Sequence, residues 1–258
     1  MSATDHSVAA TTQSCSFEPA LEARSVSRQL PAHTSITNVT PPLLPSYRRL
    51  ISTHLPIRYP DKFYALSTSD PAATGSIALC AVYDPPQSSQ QIAPGLGLAQ
   101  GPQIVGSCQA RLEPIVNSLL SPQLYHPTSQ INPAANNSSP ENGNQLQKQE
   151  HAIYIQTIAT SPSHRTLGVG TCLLETLIHT AIAMLGHLKI KVVYAHVWEV
   201  NTDALEWYLH RDFTVAEKVE HYYRKLRPGG ATIVKRDVTM RDYMEALSEE
   251  ERRKDTLK

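Results

Sequence analysis

The feature that most constrains the fold is a short glycine-containing turn at residues 164–170 (HRTLGVG). Before it, residues 152–158 alternate largely between apolar and polar side chains and predict a β-strand. After it, residues 171–182 repeat apolar side chains at helical spacing and predict an α-helix. Glycines let the backbone approach a ligand closely, and the first N–H groups of a helix have no partner within it. This order of elements therefore predicts an anion site, and a nucleotide pyrophosphate is the natural ligand.

The glycine spacing narrows the class of nucleotide-binding loop to which this turn can belong. Neither the dinucleotide pattern Gly-x-Gly-x-x-Gly nor the phosphate loop Gly-x-x-x-x-Gly-Lys-Ser/Thr is present. The turn instead reads Arg165-x-x-Gly168-x-Gly170, a pattern that by itself could simply begin a helix. It resembles the acetyl-CoA loop of the GCN5-related N-acetyltransferase (GNAT) superfamily, Gln/Arg-x-x-Gly-x-Gly/Ala.

Composition and charge exclude several other functions. Lys plus Arg equals Asp plus Glu at 23 each among 258 residues, so bulk attraction to nucleic acid or to a membrane surface is not expected. The sequence has no apolar run near the ~20 residues of a membrane span, and residues 1–32 carry no apolar signal core. We therefore predict a cytoplasmic protein, with the nucleus as a second compartment.

Cysteine spacing argues against a metal or disulfide framework. The four cysteines lie far apart and form no Cys-x-x-Cys pair: Cys15, Cys80, Cys108 and Cys172. Buried thiols in a reducing compartment explain them better than a zinc site or disulfide bonds. We predict no metal.

The chain divides by composition into one folded domain with flanking and inserted segments. Residues 1–33 are polar and without periodicity, and we predict a disordered tail. Residues 34–238 form the predicted domain, interrupted by low-complexity inserts at about 85–102 and 117–149. The charged residues 239–258 are predicted to be a tail, as a solvated helix or without regular structure.

Periodicity within the domain predicts a mixed α/β protein. Predicted strands cover residues 35–39, 76–83, 104–112, 152–158, 189–197, 213–219 and 231–238. Predicted helices begin at the Pro41–Pro42 pair, at Asp61, at Thr171 and after an Asn201 or Thr202 cap. The order β-α-α-β-β-β-α-β-α-β-β implies one sheet covered by helices.

Six segments contain distinctive motifs: residues 59–64 (YPDKFY), 154–158 (YIQTI), 165–170, 194–197 (YAHV), 201–208 with Phe213, and 222–225 (YYRK). In this order they resemble the N-alpha-acetyltransferase 50 family, the catalytic subunit of NatE (San), within the GNAT superfamily. Without the inserts, the resemblance covers about residues 34–238. It implies the acyl-CoA N-acyltransferase fold, a mixed, mostly antiparallel sheet with a splayed parallel strand pair, flanked by helices. It also implies acetyl-CoA as co-substrate.

The resemblance assigns a cofactor site around the glycine turn. The backbone amides of residues 165–171 would hold the pyrophosphate of CoA, and the pantetheine arm would lie between the two splayed strands. Asn201 would hydrogen-bond that arm and Tyr208 would assist the departing thiolate, although a helix cap and a packed aromatic are the plainer interpretations. The cofactor-binding residues implied are Ile158, Arg165, Thr166, Leu167, Gly168, Val169, Gly170, Thr171, Asn201 and Tyr208.

The same resemblance places Tyr154 and His196 at the catalytic pair, one on each splayed strand. An N-terminal amine has a reference pKa near ~8, so a modest base acting through an ordered water would remove its proton. Separately, a packed strand tyrosine and a core histidine would explain these two residues. Together, and in register with the glycine turn, they favour catalysis. The amides near residues 156–158 would stabilise the oxyanion.

Two tyrosine-containing segments match the walls of a peptide groove that takes a protein N-terminus beginning with Met and a hydrophobic residue. The substrate-binding residues implied are Leu55, Pro56, Ile57, Tyr59, Gln156, Tyr222 and Tyr223. Three positions depart from the family: Gln156 replaces an apolar residue, Leu55 replaces an aromatic one, and Arg58 adds a positive charge. These departures leave the preferred second residue of the substrate open.

The sequence thus predicts a protein N-alpha-acetyltransferase that uses direct amine attack. The expected partners are nascent or free protein N-termini and a larger, ribosome-associated N-terminal acetyltransferase complex, without nucleic acid or membrane. Two alternatives stay open. One is a GNAT enzyme that acetylates lysine side chains or a small amine, and the other is an inactive GNAT-like auxiliary subunit.

Overall fold

The computed structural model of the protein describes residues 29–86, 102–115, 150–185 and 188–256. The predicted N-terminal tail and both predicted inserts fall almost entirely outside these ranges. The predicted division of the chain into a domain, tails and inserts therefore stays a prediction.

The described residues contain one seven-stranded sheet in the order β1-β2-β3-β4-β5-β7-β6. Neighbouring strands are antiparallel except for β4 and β5, which are parallel. This is the predicted mixed, mostly antiparallel sheet. The strands are β1 (Thr34–Asn38), β2 (Ser76–Tyr83), β3 (Gln103–Pro114), β4 (Glu150–Thr160), β5 (Lys189–Trp198), β6 (Thr214–Val219) and β7 (Ala231–Asp237).

Helices cover both faces of this sheet. Helix α4 packs on one face, where side chains such as Ile153 and Ile155 of β4 enter the largest buried cluster. Helices α1 and α2 pack on the opposite face through Tyr47, Ile51 and Phe63. The helices are α1 (Leu44–His54), α2 (Asp61–Leu66), α3 (Pro71–Thr74), α4 (Val169–Leu185), α5 (Thr202–Leu209) and α6 (Met240–Thr256).

The parallel strands β4 and β5 separate part-way along their length. Their pairing ends at Ile155 and Ala195. Beyond that point β4 continues to Thr160 against β3, and β5 continues to Trp198 against β7. The predicted splayed strand pair is therefore present, and its opening begins at residues 156 and 196.

The structure adds detail at the elements that the sequence left unclear. The four-residue helix α3 was not predicted, because it is too short to show periodicity; Asp70 caps it by accepting from the amide of Ala72 at 3.0 Å. Helix α6 is not merely solvated, since Ala246 is buried and Tyr243 packs on the main cluster. A helix with the length and apolar composition that a bilayer crossing requires is not among the helices of the described ranges.

We predict that Gly106→Ala destabilises the fold. A Cβ at Gly106 would lie 2.9 Å from Leu173 Cδ1 and 2.9 Å from Val169 Cγ1, where α4 crosses β3. Both side chains are fully buried, so overpacking should lower the free energy of unfolding by about 1–3 kcal/mol in urea titrations. When Gly106→Ala is combined with Leu173→Ala, which removes one clashing group, the total loss should be smaller than the sum of the two single losses. Strictly additive losses in the double variant would contradict the steric explanation.

We also predict a pH-dependent contact between α4 and α6. His179 Nδ1 lies 3.2 Å from Glu249 Oε1, and its Nε2 lies 3.6 Å from Glu245 Oε2. Burial of the ring opposes the charged form, but Glu249, Glu245 and the more distant Asp242 outweigh it and raise the pKa of His179. A raised folded-state pKa gives stability that is present below the unfolded pKa of about 6.5 and is lost as pH rises through the folded-state pKa.

His179→Gln should therefore lower the free energy of unfolding more at about pH 6 than at about pH 9. Glu250→Gln, which removes an exposed pair with Lys254 on the same helix, serves as the matched control. Equal losses for His179→Gln at the two pH values would show that the ring contributes packing alone.

Candidate active site

The two predicted catalytic side chains lie on the same face of the sheet, beside the opening between β4 and β5. Tyr154 is directly opposite Tyr194 in the parallel ladder, and His196 follows two residues later on β5. The ring centroids of Tyr154 and His196 are 5.4 Å apart, with an angle of 85° between the rings. A phenol and an imidazole thus meet where the strands begin to separate.

The turn after β6 covers this pair with two tyrosines. The hydroxyl oxygens of Tyr222 and Tyr154 are 3.0 Å apart, and the Tyr222 ring stacks on His196 at 4.1 Å. Tyr223 donates from its hydroxyl to the backbone carbonyl of His196 at 3.0 Å. The turn is itself fixed to the end of β5, because Trp198 Nε1 donates to the Pro228 carbonyl at 2.8 Å. The structure therefore brings together Tyr154, His196, Tyr222 and Tyr223, and their catalytic and substrate-binding roles stay predictions.

Burial determines the protonation states of this cluster. It lowers the pKa of His196 to about 3, with a further contribution from the positive charge of Arg111. It also raises the pKa of Tyr154 and that of Tyr222 above their ordinary values. At neutral pH the site therefore contains a neutral imidazole, which can accept a hydrogen bond, and neutral phenols, which can donate one.

A charged cluster next to Tyr154 was missed by the sequence reasoning. The guanidinium of Arg111 on β3 lies 5.3 Å from the centroid of the Tyr154 ring and forms an ion pair with Glu113. Tyr194 donates its hydroxyl to Glu113 and stacks on Tyr154 at 4.9 Å. Two opposite charges two residues apart in an apolar strand share one face, which is the signal that could have located them.

The glycine turn has the backbone conformation that an anion site requires. Thr166 and Gly168 have positive φ angles of 62° and 86°. The first helical bond runs from the amide of Cys172 to the carbonyl of Gly168 at 3.0 Å, so the amides before Cys172 precede the hydrogen-bonded ladder of α4. A Cβ at Gly170 would lie 3.4 Å from Thr160 Oγ1 and 3.4 Å from Trp207 Cζ2, so the start of α4 packs closely against both side chains.

The other predicted cofactor residues surround the open end of the strand pair. Ile158 lies on the diverging part of β4 and packs partly on the main core. Asn201 accepts from the amide of Ala204 at 3.2 Å and so is the N-cap of α5. Tyr208 is buried and packs edge-on against Phe213 at 4.9 Å. The cap and core interpretations of Asn201 and Tyr208 are thus correct, and they leave the predicted cofactor contacts of both residues as predictions.

The predicted substrate residues of the first loop lie near the diverging part of β4 and the end of β5. Tyr59 donates from its hydroxyl to the carbonyl of Gln156 at 3.3 Å and stacks on Phe63 at 4.3 Å. Ile57 is half-buried in the same loop. An open pocket of about 400 Å³ lies between this loop and the end of β5; its lining residues are Thr53, His54, Leu55, Pro56, Trp198, Val200 and Asn201.

A parallel strand pair that opens beside a glycine turn at a helix start defines the class of acyl-CoA N-acyltransferase folds. Residues 95–213 match the model of the acetyltransferase (GNAT) family. The protein therefore has the GNAT fold, and its sequence is similar to this acetyltransferase family over those residues, which are just under half of the chain.

Individual relatives are distant. The probable N-acetyltransferase san of Drosophila melanogaster is 25% identical over 87 residues, which are 34% of this chain and 46% of that protein. The matched region thus spans about half the length of that curated relative. Among solved structures, Arabidopsis thaliana NAA60 with a bisubstrate analogue has a TM-score of 0.55 at 14% identity, covering 80% of this chain and 99% of that chain.

A second Arabidopsis thaliana structure, Naa50 with the bisubstrate analogue CoA-Ac-MVNAL, has a TM-score of 0.50 at 20% identity, with the same coverage of both chains. At these identities the two structures establish the shared fold.

We predict that Arg111→Met raises the pKa of His196. The substitution removes a positive charge that disfavours the imidazolium and leaves the negative charge of Glu113 without its ion-pair partner, so both changes act in the same direction. Arg111→Lys keeps the charge and should leave the pKa closer to that of the wild type. Titration of the His196 ring by NMR, assigned with a His196→Gln variant, measures the difference. Identical titration in all Arg111 variants would contradict the electrostatic coupling.

Proposed function

We propose that the protein is an acetyl-CoA-dependent N-alpha-acetyltransferase that acetylates the N-terminal amine of proteins. We propose that the first two residues of the substrate are Met and a hydrophobic residue. The observation that carries the proposal is the meeting of Tyr154 and His196 at the point where β4 and β5 separate. The match of residues 95–213 to the acetyltransferase (GNAT) family supports acetyl transfer as the reaction.

Acetyl-CoA is the co-substrate, and the residues present fit it. The amides of residues 166–171 lie in the turn with positive φ angles and at the start of α4, where a pyrophosphate would be held. The predicted amide of Arg165 is not among them, because it donates to the carbonyl of Pro162 at 3.3 Å. The diverging residues 156–160 and 196–198 leave a gap for the pantetheine arm, which Asn201 would hydrogen-bond. Tyr208 would lie near the sulfur. When bound, acetyl-CoA supplies a thioester that an amine can attack directly, so no acyl-enzyme is required.

Tyr154 and His196 act on the amine in this proposal. An N-terminal amine with a pKa near ~8 already has about a tenth of its population neutral at pH 7, and desolvation in the cleft increases that fraction. With a pKa of about 3, His196 does not store the proton. It accepts a hydrogen bond and, with the Tyr154 hydroxyl and an ordered water, passes the proton towards solvent. Amides near residues 156–158 would stabilise the negative charge that develops on the carbonyl oxygen.

The tyrosine turn favours an N-terminus over a lysine side chain. Tyr222 contacts both Tyr154 and His196, so one side of the reacting centre is closed. A protein N-terminus ends at the reacting nitrogen and needs only one open side, whereas a lysine substrate has backbone extending in two directions. Tyr59 and Gln156 would contact the first substrate residue from the opposite wall.

Peptide competition tests the proposed substrate class. We expect the purified chain with acetyl-CoA to acetylate a Met-Val or Met-Leu peptide at its N-terminus faster than a Ser peptide. It should also leave a lysine peptide with a blocked N-terminus unmodified. The peptide MVNAL, which the Arabidopsis Naa50 analogue contains, is a suitable first substrate. Preferential lysine acetylation would favour the first alternative, and acetyl-CoA binding without turnover would favour the auxiliary subunit.

Tyr154→Phe tests the role of the phenol. Loss of a positioned proton relay should lower kcat by about 10²-fold or more, with a smaller effect on the KM for acetyl-CoA. Tyr243→Phe is the matched control, since that hydroxyl bonds Ile190 on the α6 side of the molecule. Full activity of Tyr154→Phe would refute the role that we assign to Tyr154.

Association with a ribosome-bound complex and a cytoplasmic or nuclear location are further parts of the proposal.

A further inference from the structure

Arg211 brings a positive charge to the start of α4 from a distant part of the sequence. It lies just beyond the end of α5, and its Nε and Nη2 donate to Thr171 Oγ1 at 2.9 and 2.6 Å. Its Nη1 donates to the carbonyl of Trp207 at 2.6 Å. The glycine turn is forty residues away in the sequence, so no pattern around that turn could identify this residue.

The guanidinium of Arg211 is held in place by contacts with the end of α5. It lies 4.0 Å from the centroid of the Trp207 ring, in a cation–π contact. The amide of Arg211 donates to the carbonyl of Tyr208 at 2.9 Å, and the next residue, Asp212, has a left-handed φ of 63°. This tight turn, which ends at the buried Phe213, presents Arg211 to α4. Trp207 also lies beside Gly170, so one side chain contacts both the cation and the glycine turn.

The electrostatics of this position favour a bound anion. The N-terminus of a helix carries a partial positive charge, which attracts anions. At the start of α4 this partial charge is joined by two arginines, Arg211 bonded to the first turn and Arg165 in the preceding turn. The same turn has the positive φ angles at Thr166 and Gly168 that direct backbone amides towards a ligand.

We propose that Arg211 is a phosphate-binding and positioning residue of the acetyl-CoA site, an inference that rests on the proposed function. Its charge strengthens the attraction for the phosphates of CoA, and its bonds to Thr171 fix the first turn of α4 in the orientation that receives them. The residue acts at the phosphate end of the co-substrate. It therefore affects binding and leaves the chemical step at Tyr154 and His196 unchanged.

Calorimetric titrations with CoA, 3′,5′-ADP and pantetheine test this inference. Arg211→Met should weaken binding of CoA and 3′,5′-ADP by about tenfold or more, because a charge-assisted contact is lost, and should leave binding of pantetheine within about twofold. The salt dependence of CoA binding should become shallower. Arg211→Lys should recover part of the affinity, since it restores the charge without the bidentate geometry. Arg241→Met, an exposed arginine on α6, is the control.

Kinetics separate this role from a structural one. Arg211→Met should raise the KM for acetyl-CoA by a similar factor with kcat within about twofold of wild type. Thr171→Val keeps the charge but removes the bonded hydroxyl, so it should give a smaller increase in KM, and it supplies the test if Arg211→Met does not fold. Equal weakening of CoA and pantetheine binding, or a lowered Tm with unchanged CoA affinity, would overturn the inference.

The outcomes also distinguish this inference from the proposed function. If the wild-type chain binds CoA and loses this binding in Arg211→Met but acetylates no peptide, the phosphate site stands and the proposed function fails. If peptides are acetylated and Arg211→Met binds CoA like the wild type, the function stands and the role of Arg211 fails. Absence of wild-type binding to both CoA and 3′,5′-ADP would refute both.

Discussion

The early end of the hydrogen-bonded ladder between β4 and β5 is the constraint on which the site depends. At this point β3 pairs Gln109 with Thr157 and Ala110 with Ile155, so Gln156 is an extra residue in β4. Such a bulge bends a strand and increases its twist. Because β4 stays paired to β3 and β5 to β7, the bend separates β4 from β5 while both strands remain held on their outer edges. The Tyr59 hydroxyl bonds the carbonyl of that extra residue.

An aromatic cluster beside this opening links several elements through a few groups. Tyr154 contacts Tyr194 and Tyr222, and His196 stacks on Tyr222, so strands β4 and β5 and the turn after β6 converge on two rings. The apolar surroundings keep the imidazole neutral, and the nearby Arg111 acts in the same direction. The pKa of His196 is lowered so far that the ring does not keep a proton at neutral pH. Such a histidine suits the proposed reaction, in which the substrate amine needs only a transient proton acceptor.

Much of the fold follows from sequence patterns, because the seven strands and helices α1, α4 and α5 each have an apolar run or periodicity, whereas the charged helix α6 was predicted only as a tail. The glycine turn, Asn201 as a cap, and the tyrosine pair were likewise visible as local motifs. Arg111, Glu113 and Arg211 were not predicted as site residues. Their importance comes from tertiary neighbours: Arg111 acts through a paired strand, and Arg211 reaches a helix forty residues earlier. A charge in a strand or at a helix end has many explanations until its neighbours are known.

The two ends of the cleft are supported by different parts of the fold, and this separation has a mechanistic consequence. The glycine turn is held by α4, α5 and Arg211, whereas Tyr154 and His196 are held by the sheet, Arg111 and the tyrosine turn. Gln156 lies on β4 between them, at the bulge that opens the gap. Under the proposed function, a substitution at Gln156 would therefore alter the proposed peptide groove without disturbing the proposed phosphate contacts. Substitutions at the tyrosine turn would, in contrast, act on both the proposed groove and the proposed catalytic pair, because Tyr222 contacts Tyr154 and His196 together.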